Sequence, residues 1–105
     1  MSEFTLADLA RIISARRAAR ADASYTKSLI DKGPAHCARK LGEEAIETVI
    51  AGVGGNKSEI TAESADLIYH LLVLLEASGI SHDEVMAELE RRTAQSGHAE
   101  KASRR

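Results

Sequence analysis

Five carboxylates and one histidine stand at spacings that can assemble chemistry: Glu43, Glu44 and Glu47 in one segment, Glu63, Asp66 and His70 in another. At 100° per residue the first three share about 100° of helix surface and the second three about 60°. Like charges three or four residues apart on a helix repel by roughly 0.2–0.5 kcal/mol per pair, and a divalent cation turns that repulsion into binding. Carboxylate oxygens are hard ligands suited to Mg²⁺ or Mn²⁺, and Mg²⁺ commonly bridges a few carboxylates to substrate phosphates while keeping several waters. The second group presses the point harder. Leu67, Ile68, Leu71, Leu72, Val73, Leu74 and Leu75 occupy the whole circumference of the segment from Ile60 to Ala77, and a helix apolar all round is a buried helix. An ionised carboxylate buried there without a partner costs on the order of several kcal/mol.

Plainer readings stand beside the metal site. Arg39 and Lys40 precede Glu43 and Glu44 by four residues, so the first cluster also fits a solvated face with ion pairs. Glu63 and Asp66 also fit a buried salt bridge to an Arg or Lys of the first helix. His70, four residues after Asp66, fits either a hydrogen-bonding support to a ligand carboxylate or a satisfied core histidine.

The elements that must position these groups are helices. Thr5 as N-cap, with Asp8 three residues on and Leu6, Leu9, Ile12 and Ile13 at helical spacing, predicts a first helix from about Leu6 to Arg20. Asp22 to Lys32 is a less regular connector with one or two helical turns around Thr26 to Asp31, stopped by Gly33. Pro34 suits the first turn of the next helix, which runs to about Gly52. Gly52, Gly54, Gly55 and Asn56 make a turn, and the following helix enters through Asn56 or Ser58. A short connection makes the two helices antiparallel, and their acidic groups lie at similar distances from the turn, so the acids meet. Gly79 ends that helix. Ser81 and Glu84 form a capping box opening a last helix to about Thr93, with Val85, Met86 and Leu89 as its apolar face.

The expected fold is therefore all-α: a single domain over residues 1–105, an antiparallel bundle of about four to five helices with its core at about 6–93 and a frayed tail at 94–105. With 44% hydrophobic residues but only 3% aromatic, it must pack through aliphatic contacts. So short a chain cannot cover the apolar girdle of Ile60 to Ala77 by itself, which calls for completion by homodimerisation. Cys37 is the only cysteine, which excludes an intrachain disulfide framework and suits a reducing cytoplasm. The longest apolar run, Leu71 to Leu75, is too short to span a bilayer, and a net charge of −2 argues against general nucleic-acid binding. Basic residues cluster locally at Arg11, Arg16, Arg17 and Arg20, at Lys27, Lys32, Arg39 and Lys40, and at Arg91, Arg92, Lys101, Arg104 and Arg105. Any of these can hold phosphate, though most serve to complement helix ends and solubilise the surface.

Glu-Glu-x-x-Glu at 43–47 followed by Glu-x-x-Asp at 63–66 resembles the all-α, MazG-like nucleoside triphosphate pyrophosphohydrolase superfamily. Ser24-Tyr25-Thr26, Leu29, Lys32-Gly33-Pro34, Lys40-Leu41-Gly42-Glu43-Glu44 and the run from Ala65 to Leu75 narrow this to a resemblance to the phosphoribosyl-ATP pyrophosphohydrolases of histidine biosynthesis, over about Leu6 to Arg92. That resemblance implies hydrolysis between the α- and β-phosphates of phosphoribosyl-ATP, giving phosphoribosyl-AMP and pyrophosphate, with Mg²⁺ (Mn²⁺ as substitute) as cofactor. It implies Glu44, Glu47, Glu63 and Asp66 as metal ligands and Glu43 and Glu47 as the catalytic carboxylates. Ser24, Tyr25, Thr26, Lys32 and Lys40 become substrate contacts and His70 a supporting residue. Their plainer roles are a helix cap for Ser24, a core-edge ring for Tyr25 and surface ion pairs for the lysines. Family members commonly form homodimers; the activity for the next step, fused to this domain in some relatives, is expected on a separate chain. Two other functions fit the same residues: a house-cleaning pyrophosphatase acting on free or noncanonical nucleoside triphosphates, and a non-enzymatic helical dimerisation module.

Overall fold

The computed structural model describes residues 3–20 and 24–94; Asp22 of the connector and the tail with Lys101, Arg104 and Arg105 lie outside the described residues. Five helices make up the architecture: α1 (Leu6–Arg16), α2 (Tyr25–Asp31), α3 (Pro34–Gly54), α4 (Lys57–Ala77) and α5 (His82–Thr93). The boundaries follow local chemistry. Thr5 caps α1 through the N–H of Asp8, whose carboxylate accepts in return from the Thr5 N–H, and Ser81 with Glu84 repeats this box at α5. Asn56 caps α4 by accepting from the Glu59 N–H at 3.0 Å. Between α3 and α4, Gly55 adopts φ +80°, a left-handed conformation that closes α3 through its N–H to the Ala51 carbonyl and suits a residue without Cβ.

Two expected boundaries move. Helix α1 stops at Arg16 rather than Arg20: beyond it the backbone tightens into i→i−3 bonds at Arg17, Ala18 and Ala19, and the Arg17 side chain bonds the Glu76 carboxylate at 2.7 Å and the Glu76 carbonyl at 3.1 Å. Helix α3 extends to Gly54, two residues further than Gly52, because the left-handed residue that ends it is Gly55.

Ile13, Leu29, Ile30, Cys37, Leu72 and Val73 form the buried core, flanked by Leu9, Tyr69, Leu74, Leu75 and Ala77. All lie where α1, α2, the start of α3 and the second half of α4 converge. The Cys37 thiol is buried against the Leu29 carbonyl, and burial pushes its pKa up, so it behaves as a core residue. The rest of the α3–α4 hairpin projects from this core. Within this chain only His70, Leu72 and Val73 are buried in α4, and Ile68 and Leu71 remain exposed. On α3, Ile46, Val49, Ile50 and Val53 are all more than 60% exposed and lie within about 100° of one another on the helix surface. No helix among the described residues is long and apolar enough to cross a membrane.

Candidate metal centre

The antiparallel hairpin brings the two acidic segments face to face. One carboxylate oxygen each from Glu44, Glu63 and Asp66 lie within 4.8 Å of one another. Three hard oxygen donors this near one another could share one divalent cation after the side chains close in on it. Thr48 sets the register: its hydroxyl lies 2.7 Å from the carbonyl of Glu44 and 3.2 Å from that of Glu63, so a single proton can bond the backbone of either helix at the level of the acids. Glu47 and Glu63, with Ile50, Ala51 and Glu59, line an open cleft of about 190 Å³ beside this group.

The electrostatics are those of a site short of positive charge. Glu63 Oε1 is buried and accepts no hydrogen bond, and a buried acceptor left unpaired costs about 1–3 kcal/mol. Desolvation, then the charges of Glu47, Asp66, Glu44 and Glu59, push the Glu63 carboxyl above its ordinary pKa. The salt-bridge alternative to a metal is not what the fold contains: Arg11 pairs with Asp8 and Arg17 with Glu76. Among the described residues no ion pair reaches Glu44, Glu47, Glu63 or Asp66. Orphaned oxygen, hard donor set and spacing together fit a divalent cation.

A match to the family model described as phosphoribosyl-ATP pyrophosphohydrolase spans residues 6–93. The chain belongs to the phosphoribosyl-ATP pyrophosphohydrolase family. It is 64% identical to the phosphoribosyl-ATP pyrophosphatase of Azorhizobium caulinodans over 95% of this chain and 92% of that one. It is 60% identical to the enzyme of that name from Nitrobacter winogradskyi over 99% and 90% of the two chains. With the one from Methylobacterium nodulans it shares 58% identity over 100% and 98%.

The other residues singled out from the sequence fall into different settings. Glu43 is exposed and accepts from Lys40 Nζ at 3.2 Å, outside the Glu44–Glu63–Asp66 group; this much of the ion-pair alternative is present. Ser24 is buried and caps α2 by accepting from the Lys27 N–H at 3.2 Å. Thr26 is also buried, its hydroxyl hydrogen-bonded to that of Tyr69, while Tyr25 is 58% exposed and Lys32 is exposed at the α2 C-cap. His70 Nδ1 lies 2.9 Å from the Asp66 carbonyl, and its Nε2 is buried without a partner. A carbonyl can only accept, so Nδ1 is the donor in this bond. It thus steadies the backbone of Asp66 and does not touch the carboxylate. Two site-lining residues escape the sequence pattern, Thr48 and Glu59. Glu59 precedes Glu63 by one helical turn, a repeat of the same-face spacing; Thr48 is a lone hydroxyl amid the apolar positions of α3.

Proposed function

We propose that this chain hydrolyses phosphoribosyl-ATP to phosphoribosyl-AMP and pyrophosphate, the second step of histidine biosynthesis, using Mg²⁺ or Mn²⁺ held by Glu44, Glu63 and Asp66. The observation that carries the reading is the uncompensated carboxylate group on a hairpin whose relatives bear the phosphoribosyl-ATP pyrophosphatase name. A divalent cation there supplies neutralisation of phosphate charge and acidifies nearby water. Glu47, on the rim of the same cleft, completes the acidic ring and is the carboxylate placed to accept a proton from the attacking water. Lys40, oriented by Glu43, offers its ammonium to a phosphate oxygen. Tyr25 and Lys32, both exposed, complete the substrate contacts; Ser24 and Thr26 act by holding α2 in place.

The working form is a cytoplasmic homodimer. Ile46, Val49, Ile50 and Val53 make an exposed apolar strip beside the acids, and a second copy covering it would exclude water from the same edge of the hairpin. Purified protein with Mg²⁺ is expected to release pyrophosphate from phosphoribosyl-ATP, to stop when the metal is chelated, and to sediment as a dimer. Faster turnover of ordinary nucleoside triphosphates would favour a house-cleaning role, and activity untouched by chelation would refute the metal site.

A further inference from the structure

The end of the hairpin's polar stripe opposite the acids is basic. His36, Lys40, Glu43 and Glu47 follow one another at three- or four-residue spacing along α3, with Arg39 about 60° from His36 around the helix. Lys32, the C-cap of α2, stands just before the Gly33–Pro34 entry into α3. Arg39 Nη2 lies 3.4 Å from His36 Nδ1. Lys32 precedes His36 by four residues and Arg39 and Lys40 follow it by three and four; after desolvation, these three charges depress the pKa of His36, and Glu43 opposes them. Helix α3 also starts without a side-chain cap, so its free N–H groups add the positive end of the helix dipole.

What sets this cluster apart is its lack of neutralisation. Asp31, beside Lys32 in sequence, is taken by Lys27 at 2.7 Å, and Glu43 is taken by Lys40. Lys32 and Arg39 are exposed and make no ion pair among the described residues, whereas Arg11 and Arg17 each hold an acid. The substrate named above carries two separated anionic groups, the triphosphate of ATP and the phosphate of the phosphoribosyl group. The acidic cluster with its cation serves the first. Along the α3 axis Arg39 and His36 stand about 7.5 and 12 Å from Glu44, at 1.5 Å per residue. That separation suits a nucleoside between two phosphates better than neighbouring phosphates of one chain.

We propose that Lys32, His36 and Arg39 receive the phosphate of the phosphoribosyl group and thereby set the preference for phosphoribosyl-ATP over ordinary nucleoside triphosphates. The inference rests on the function proposed above. Recognition is by charge and by bidentate geometry: the Arg39 guanidinium forks onto a phosphate, Lys32 adds a point charge, and His36 holds the guanidinium in place.

The test compares phosphoribosyl-ATP with ATP in wild type, Arg39→Ala, Lys32→Ala and the double variant, each with Mg²⁺. Each single change is expected to lower kcat/KM for phosphoribosyl-ATP about 10- to 100-fold, mainly through KM. The value for ATP, or its inhibition constant where turnover is too slow, should change at least tenfold less. Arg39→Lys should recover part of the loss, and Arg16→Ala, which removes a cation elsewhere, should leave both substrates unaffected. Ribose 5-phosphate should inhibit the wild type competitively and the double variant much more weakly, while inhibition by pyrophosphate is retained. Equal losses on both substrates would place the cluster on the triphosphate and overturn the proposal, as would no loss on either. A wild-type protein inert toward phosphoribosyl-ATP would overturn the function itself and this inference with it.

Discussion

The two ends of the α3–α4 hairpin solve opposite problems. At the core end, α4 buries Leu72 and Val73 against α1 and α2, and two carboxylates there are matched: Arg17 holds Glu76, and on the adjoining α5 Arg91 and Arg92 hold Glu88. Hydrogen bonds from those two arginines bring the Glu88 carboxyl down to about 2. At the other end, Glu63 is pushed up, its buried oxygen unpaired and its neighbours acidic, and Ile46, Val49, Ile50 and Val53 stand in water. The fold supplies Glu88 with cations that favour its charged form, and surrounds Glu63 with acids that disfavour it. The difference is one of charge balance: Glu88 is paired by cations of its own chain, and Glu63 is not.

Substitutions should break the molecule differently at each end. The largest effect is expected from Glu47→Gln, which should lower kcat by about 10²–10⁴-fold while circular dichroism and melting temperature stay near wild type. Loss of activity only in step with loss of folding would return Glu47 to a surface role. Next is Leu72→Ala at the core end. It should cost about 2–5 kcal/mol of stability in urea titration, because the cavity forms among well-packed neighbours. Val53→Asp at the exposed end should instead leave the monomer folded and shift sedimentation from dimer to monomer; an unchanged dimer would remove this strip from the interface.

Smaller effects come from titration. Glu63 has a raised pKa in the metal-free fold, so the folded state binds its proton more readily than the unfolded chain. Its relative stability is therefore full below the ordinary carboxylate range and falls as pH rises through the raised pKa. Metal-free Glu63→Gln should accordingly melt higher than wild type at neutral pH and converge with it in acid, although it loses metal-dependent activity. Glu88 has the opposite sign. Its contribution is present above the ordinary carboxylate pKa and is lost as pH falls toward about 2. Glu88→Gln should lower the melting temperature slightly at neutral pH and make no difference near pH 2, an effect small because the pair is exposed.

Much of this contrast was legible in the sequence. Thr5, Asn56 and the Ser81–Glu84 box announce helix starts through short-range chemistry, and the meeting of Glu44 with Glu63 and Asp66 follows from two helical periods and a short turn. What escaped depends on contacts distant in sequence. The Thr26–Tyr69 bond joins residues 43 apart and takes the threonine hydroxyl out of solvent, which no local pattern announces. Hydrophobic periodicity likewise identifies α4 as a helix that wants covering, but not whether its own chain supplies the cover. Ile68 and Leu71 remain exposed for that reason. Thr48 was invisible because its importance lies in the carbonyls it reaches rather than in its spacing.

That threonine marks a level of the hairpin with a thermodynamic consequence. Its hydroxyl lies within reach of the carbonyls of Glu44 and Glu63, at the level where the two helices bring the acids together, and the mutual repulsion of those acids is a cost of the fold. A cation that binds the folded hairpin and not the unfolded chain then stabilises it by RT ln(1 + [L]/Kd). On the proposed metal site, the melting point of the protein would therefore rise with the free divalent-ion concentration around it, the hairpin's stability serving as a gauge of the ion.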